Sequence, residues 1–321
     1  MTDYPPLAPP RFGFISHVVG SEPSRTVINR TVELATYAEE VGFDSFWVAQ
    51  HHFGAQRAHC PSPLVLLSAI AAQTSRIRLG TAVVIGSLED PIRLAEDASM
   101  LDILSNGRVE LGLGAGANES TARRFGHDHA RRHESFLTNL HALRDLLDSA
   151  GVVPHSPGLR DRLWIGTASE SGFALAANLG LGVLTGRSSS PAGPRDEIAA
   201  GRAAAYIKTA ASPRVGMSRS VLCATNAQLA LDHLRPGIDR WLAEGKRSGR
   251  FPAGYDAQQY VDAGHAYLGT TSDVRDALRR DLVMPYATDV LCNVQPSTPS
   301  HAAILNNLRL FGRDVIGGWS T

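Results

Sequence analysis

Short apolar runs rich in Val, Ile, Leu and Phe alternate along the chain with longer stretches whose apolar residues recur at helical spacing. The first run covers residues 12–16, and a helical stretch over 27–41 follows, closed by Gly42 as a C-terminal stop. The pattern then predicts a strand over 44–49, a helix over 63–73 and a strand over 77–85. Pro91 lacks a backbone donor that a first helical turn leaves unused anyway, so it opens a helix running to about Leu104. Asn106-Gly107 turns the chain into a fourth strand over 108–113, with its helix over 132–149. A fifth strand (163–166) and helix (171–179), a sixth strand (182–184), a seventh strand and helix (215–224 and 227–243) and an eighth strand and helix (289–294 and 299–310) complete the series.

Strand then helix, eight times over, implies parallel strands joined by right-handed crossovers. In 321 residues that favours an α/β fold of the (β/α)8 TIM-barrel kind, a single domain over 1–321. An open doubly wound sheet would need a Gly-rich turn after the first strand, and Ser16-His17-Val18-Val19-Gly20 is not one. Two segments depart from the repeat: 188–194, rich in Ser, Pro and Gly, and the polar, Gly-containing 245–264. They read as insertions after strands six and seven, and long barrel insertions often act as lids.

Charge narrows the function. Lys plus Arg and Asp plus Glu both number 31, so no global field argues for nucleic acid or an anionic membrane. Cys60, Cys223 and Cys292 are far apart and in no metal-ligand spacing, which fits a reducing compartment. Residues 1–10 lack the basic-then-apolar order of a signal peptide, and apolar stretches such as 64–72 are too short to span a bilayer. A cytoplasmic enzyme is the expectation.

A barrel carries its chemistry on the loops after the C-terminal ends of its strands. Those loops offer His17, His51-His52-Phe53, Gly86-Ser87, residues 114–118 and 167–172, then Arg187, Asn226, Asn293 and Gln295. In 167–172 a strand passes into a helix. Ser169 or Ser171 caps it, free amides and the helix dipole attract an anion, and Gly172 leaves room for close approach. A phosphate is the expected occupant, bound by backbone and serines with the Glu170 charge turned away; a plain structural cap would use the same residues. His51 is the candidate acid–base group, since imidazole exchanges protons near neutrality, and the competing role is a histidine holding a loop carbonyl. His127, His129 and His133 suggest a metal, but no ligand-spacing motif supports them, so a solvated or cofactor-proximal loop is expected and no metal.

Several stretches resemble the bacterial-luciferase-like flavin monooxygenases. Val41-Gly42-Phe43-Asp44-Ser45-Phe46-Trp47 leading to Gln50-His51-His52-Phe53 is similar to the second strand of that family, whose luciferase branch has Glu-His-His-Phe there. Ile77-Arg78-Leu79-Gly80-Thr81-Ala82-Val83-Val84, Asp90-Pro91-Ile92-Arg93-Leu94-Ala95-Glu96-Asp97 and Leu101-Asp102-Ile103-Leu104-Ser105-Asn106-Gly107-Arg108 resemble the strand, helix and turn that follow. Arg124-Phe125-Gly126, Ala168-Ser169-Glu170-Ser171-Gly172 and Leu268-Gly269-Thr270-Thr271-Ser272 also have counterparts. The likeness covers most of 11–185 and weakens over 186–265.

The resemblance implies FMN, reduced by a separate flavin reductase, reacting with O2 to oxygenate a small organic substrate, in a homodimer. It places the FMN phosphate at Ser169, Glu170, Ser171 and Gly172, a backbone irregularity at Ala82–Val83 under the ring, and Gly114, Ala115 and Asn118 beside it. His51 corresponds to the base of the luciferase branch. Ala115 stands where that branch has an Arg and Gly114 where a reactive Cys occurs; Arg132 or His133 then supplies the positive charge. That departure leaves open a deazaflavin-dependent hydride transfer. A non-catalytic flavin-binding subunit and a metal-dependent barrel hydrolase stay open as well.

Overall fold

The computed structural model of the chain describes residues 8–54, 58–149, 152–187, 190–191, 193 and 196–319. Eight positions around a closed, wholly parallel barrel are filled by β1 (Arg11–Ser16), β2 (Ser45–Val48), β3 (Arg78–Thr81) continued by β4 (Val84–Ile85), β5 (Val109–Gly114), β6 (Leu163–Gly166), β7 (Gly182–Thr185), β8 (Val215–Cys223) and β10 (Asp289–Asn293). Closure comes from β10, which pairs with β1 on one side and β8 on the other. The upper half of β8 also pairs with an additional strand, β9 (Ala266–Gly269).

The outer layer comprises α1 (Ser24–Glu40), α2 (Pro63–Ala71), α3 (Pro91–Leu104), α4 (Glu119–Arg124), α5 (Arg132–Asp148), α6 (Glu170–Leu179), α7 (Asp196–Thr209), α8 (Ala227–Arg247), α9 (Ala257–Asp262), α10 (Thr271–Arg279) and α11 (His301–Leu310). None of the described helices is long and apolar enough to cross a membrane.

Two cores stabilise this arrangement. The larger lies between strands and helices. The smaller fills the barrel itself with Ile15, Trp47, Trp164, Leu184 and Leu291. Trp47 and Trp164 meet edge to face with ring centroids 5.8 Å apart. They fit because the facing positions have no side chain: a Cβ on Gly80 would stand 2.0 Å from the Trp47 ring, and one on Gly182 2.3 Å from the Trp164 ring. Each indole N–H is satisfied, by Ser45 Oγ at 2.8 Å and by Glu110 Oε2 at 2.7 Å.

The strand and helix boundaries follow the hydrophobic pattern, with four corrections. The strand expected over 77–85 is interrupted: β3 ends at Thr81 and β4 begins at Val84, and the Ala82–Val83 bond between them is cis. The eighth helix begins at His301 rather than 299, since the Ser300 hydroxyl caps it by accepting from the Ala303 amide. The segment 245–264 is less a loop than expected: α8 runs on to Arg247, and α9 starts after Asp256, which makes a reciprocal capping box with Gln259. The strand β9 and helices α4, α7 and α10 also went unpredicted. Of 188–194, only Ser190, Pro191 and Gly193 lie within the described residues.

Buried charge fastens the insertion to the barrel. Arg219, on β8 and facing the helical layer, forks onto Asp281 at 2.5 and 3.0 Å. Arg187, after β7, reaches Asp281 at 3.0 Å and Asp196 of α7 at 3.1 Å, and Tyr267 of β9 donates to Asp281 at 2.8 Å. Burial works against ionised Asp281, but the two guanidiniums hold it below the usual carboxylate range. Arg187, expected at the rim, is therefore committed to the fold.

Candidate active site

The C-terminal ends of the strands converge on one rim. Gln50, His51 and His52 follow the end of β2. The Gln50 amide ties three segments together: Oε1 accepts from the Ile85 amide at 2.6 Å, and Nε2 donates to Pro61 O at 3.1 Å and Glu89 Oε1 at 2.8 Å. A Glu at this position would set two carboxylates against each other, which accounts physically for the departure from Glu-His-His-Phe. The His51 amide donates to Cys60 O at 2.9 Å, so the backbone holds the residue in place and leaves the ring for other contacts.

That ring faces a second imidazole. His17, one residue beyond β1, brings Nδ1 to 3.3 Å from His51 Nε2. Burial, and then the neighbouring His51, lowers His17 to about 3, while burial and then His52 lower His51. His52 is lowered by burial against the opposing pull of Glu89, and its ring packs edge-on against Phe125 with centroids 4.8 Å apart. His51 lines an open groove with Phe53, His59 and Pro61, whereas His17 lines a cavity of about 170 Å³ between α1 and α11. Sequence reasoning placed His17 on the rim without a role; the spacing of two histidines 34 residues apart carries no signal until β1 and β2 pair.

Across the rim, Val83 packs over the barrel core. A Cβ on Gly114 would stand 2.7 Å from Val83 Cγ2, and one on Gly166 3.0 Å from Val83 Cγ1, so the two glycines seat this side chain between the ends of β5 and β6. Ala115 is half-buried, and its carbonyl accepts from Ser87 Oγ at 2.8 Å. Asn118 is exposed and uses its side chain to cap α4 through the Thr121 amide at 3.0 Å. His133 lies in the first turn of α5, and Arg132 donates to His129 O at 3.0 Å. Among the described residues no group of three or more His, Cys, Asp or Glu is arranged to hold a metal ion.

The loop from β6 into α6 gathers three hydroxyls. Thr167 Oγ1 lies 3.2 Å from Ser169 Oγ, which lies 3.3 Å from Ser171 Oγ. Ser169 is the cap: its Oγ accepts from the Gly172 amide at 3.1 Å, and its own amide donates to Thr167 Oγ1 at 3.1 Å. Gly172 has a different reason from the one expected. A Cβ there would stand 2.1 Å from Thr167 Oγ1, so the glycine makes room for a neighbouring hydroxyl. Glu170 is exposed at the first position of α6. Arg202 of α7 donates to Ala168 O and brings a cation to this loop, which sequence reasoning missed because α7 itself went unassigned.

The sequence profile of a family described as luciferase-like monooxygenases matches residues 11–288. Among curated relatives, 4-hydroxyprotoasukamycin monooxygenase of Streptomyces nodosus subsp. asukaensis is 32% identical over 65% of this chain and 54% of its own length. The oxygenase component of flavin-dependent trigonelline monooxygenase of Acinetobacter baylyi is 32% identical over 33% of this chain and 30% of its own length. Several such alignments thus span about half the relative or less; the first two relatives, from Sinorhizobium fredii and Bacillus subtilis, are spanned over 29% and 51%. Among solved structures, a monooxygenase from Streptomyces bottropensis superposes with a TM-score of 0.78 at 22% identity, over 96% of this chain and 99% of that one. A coenzyme F420-dependent tetrahydromethanopterin reductase from Methanopyrus kandleri gives 0.72 at 18%, over 97% and 99%. Identities this low speak to the fold alone, but the profile match covers most of the chain: this protein belongs to the luciferase-like monooxygenase family.

Proposed function

We propose that this chain is the oxygenase of a two-component system that takes reduced FMN from a separate flavin reductase and uses O2 to oxygenate a small organic substrate. The observation that carries the reading is the joint presence, on one barrel rim, of a hydroxyl cluster at the start of α6 and a neutral imidazole pair at the ends of β1 and β2. The residues fit the phosphate end of such a cofactor. Thr167, Ser169 and Ser171 supply hydroxyls at the N-terminus of α6, where the helix dipole favours an anion, and Arg202 adds a positive charge. Val83, seated by Gly114 and Gly166, presents an apolar face for a flat ring, with Ala82 beside it on the barrel core and Ala115 packed against the outer core. Asn118 serves this site as the cap that shapes its loop, and His133 as a polar group at its edge.

When bound, reduced FMN supplies two electrons to oxygen. The protein's own contribution is acid–base and steric. His51 is neutral because burial disfavours its charged form, so it takes up a proton at the nitrogen that does not face His17. Gln50 keeps the loop bearing it fixed against Ile85 and Glu89, and water is excluded on the barrel side by Trp47 and Trp164. The substrate enters beside His51, where Phe53 offers an exposed aromatic face. Homodimer formation and a cytoplasmic setting belong to the same reading.

A second reading, hydride transfer from a reduced deazaflavin, is favoured by one feature: Ala115 stands where the luciferase branch has Arg, and Arg132 is turned to a backbone carbonyl. Anaerobic titration of the purified protein with reduced FMN, reduced FAD and reduced deazaflavin separates the two. Tightest binding of FMN is expected; tightest binding of deazaflavin would replace oxygen chemistry by hydride transfer.

A further inference from the structure

His17 is a titratable group within hydrogen-bond reach of the proposed base to which the oxygenase reading gives no role. It stands between two compartments. One ring nitrogen is 3.3 Å from His51, and the residue lines a cavity of about 170 Å³ bordered by α1, the end of β10 and α11. A cavity of that size holds several waters, and its wall offers them Thr31, Gln295, Ser297 and Ser300. Its outer wall is charged but matched. Glu22 is bonded by Arg30, and His301 Nε2 lies 2.9 Å from Glu33 Oε2. On the neighbouring wall His59 is held between Ser24 Oγ at 2.9 Å and Gly20 O at 3.2 Å. The titratable groups facing the His17–His51 pair are therefore His52, His59, Glu22, Arg30 and His301, and the charged ones have partners of their own.

We infer that His17 is a positioning and proton-passing residue: it holds His51 in one tautomer and connects it, through the cavity between α1 and α11, to solvent. The inference rests on the proposed role of His51. In the resting pair His51 Nε2–H donates to His17 Nδ1, and His17 carries its own proton on Nε2. When His51 gains a proton at Nδ1, its Nε2 proton passes to His17 Nδ1 and the His17 Nε2 proton passes to a cavity water. One proton has moved from site to solvent, both rings have exchanged tautomers, and neither remains cationic. The reverse sequence delivers a proton inward. Burial disfavours an imidazolium at either position, so a route in which no charge lodges on the rings suits this site.

The test has a cofactor-free arm and a loaded arm. In the cofactor-free protein, nitrogen-15 NMR of histidine side chains reads which ring nitrogen carries hydrogen. His51 protonated at Nε2 and His17 unprotonated at Nδ1 are expected; a proton fixed on His17 Nδ1 overturns the proposal. In the loaded arm, reduced FMN is bound as its anion (FMNH⁻), and its reoxidation by O2, which consumes one proton in yielding hydrogen peroxide and oxidised FMN, is followed by stopped flow. His17→Asn keeps a side-chain hydrogen bond but has no second ring nitrogen, and about a tenfold slowing with FMN affinity unchanged is expected, below the range for losing a direct general base. In His17→Ala, added imidazole should restore the rate. An unchanged rate in His17→Asn, or no rescue in a His17→Ala protein that binds FMN, overturns the proposal. If no flavin binds at all, the functional reading fails separately and the NMR arm still decides the pairing of the two rings.

Discussion

Two polar clusters withdrawn from water in this barrel are built on opposite terms. Behind β7, β8 and β9, two guanidiniums, two carboxylates and a phenol close on one another, and Asp281 is held ionised by Arg219 and Arg187 despite its burial. At the ends of β1 and β2, two imidazoles face each other with no carboxylate between them, and burial holds both neutral. The first cluster gives every charge a fixed partner, so it can join elements but has nothing left to exchange. The second keeps nitrogen lone pairs in a partly dry place, where a proton transfer is still open to them. An ionisable group withdrawn from water thus points to chemistry at the rim and to architecture behind it, and the difference lies in whether its partner carries the opposite charge.

The largest expected effect is on the rim. His51→Ala should leave FMN binding intact and lower oxygen incorporation into product, read with labelled O2 on a panel of aldehydes and ketones, by ~10²–10⁴-fold. An undiminished rate would remove His51 from the chemistry and with it the contrast between the clusters. Next comes the opposite cluster. Asp281→Ala takes the forked partner from buried Arg219 and leaves Arg187 with Asp196 as its carboxylate, and should cost about 3–5 kcal/mol in urea unfolding, with no change in FMN affinity beyond that of the folded fraction. A cost under about 1 kcal/mol would mean that the arginines find water readily and that the cluster is not a fixed joint.

A smaller effect is expected at the hydroxyl cluster. In Gly172→Ala the new methyl meets Thr167, so Thr167 must rotate away from Ser169. FMN affinity should fall by about tenfold, roughly 1.4 kcal/mol, with the melting temperature little changed. The smallest effect is a pH dependence that separates the clusters by window. His17 is lowered to about 3 from 6.5, so between those values the unfolded chain binds more protons. The pair's contribution is present above 6.5 and is lost as pH falls toward 3. The contribution of Asp281 is lost only as pH falls below its ordinary 3.8. Thermal melts at about pH 7, 5 and 4 should decline in the native protein and decline less in His17→Asn; parallel declines would show that His17 is not the group responsible.

Much of this was legible in the residue pattern. The eight strand positions follow from apolar runs whose both-sided burial requires continuous hydrophobicity, and the caps at Ser169 and the turn at Asn106-Gly107 are local chemistry that needs no tertiary contact. His51 and the serines of 169–171 were legible for the same reason: they sit at strand-to-helix junctions that the fold class places on one rim. The irregularity at Ala82–Val83 came from the family resemblance, not from the residues, since Ala-Val-Val reads as ordinary strand.

What the tertiary structure decided is long-range by nature. His17 and His51 come together through the pairing of β1 with β2, and Arg202 reaches Ala168 from a helix whose weak pattern gave no warning. The reason for Gly172 emerged only when Thr167 was seen against it, and that of Gln50 only with Glu89 in place. Periodicity encodes which face of an element is buried, because burial acts on each residue separately. It does not encode which polar atoms meet across the barrel, because hydrogen bonds and charge pairs depend on two positions at once and on the path of the chain between them.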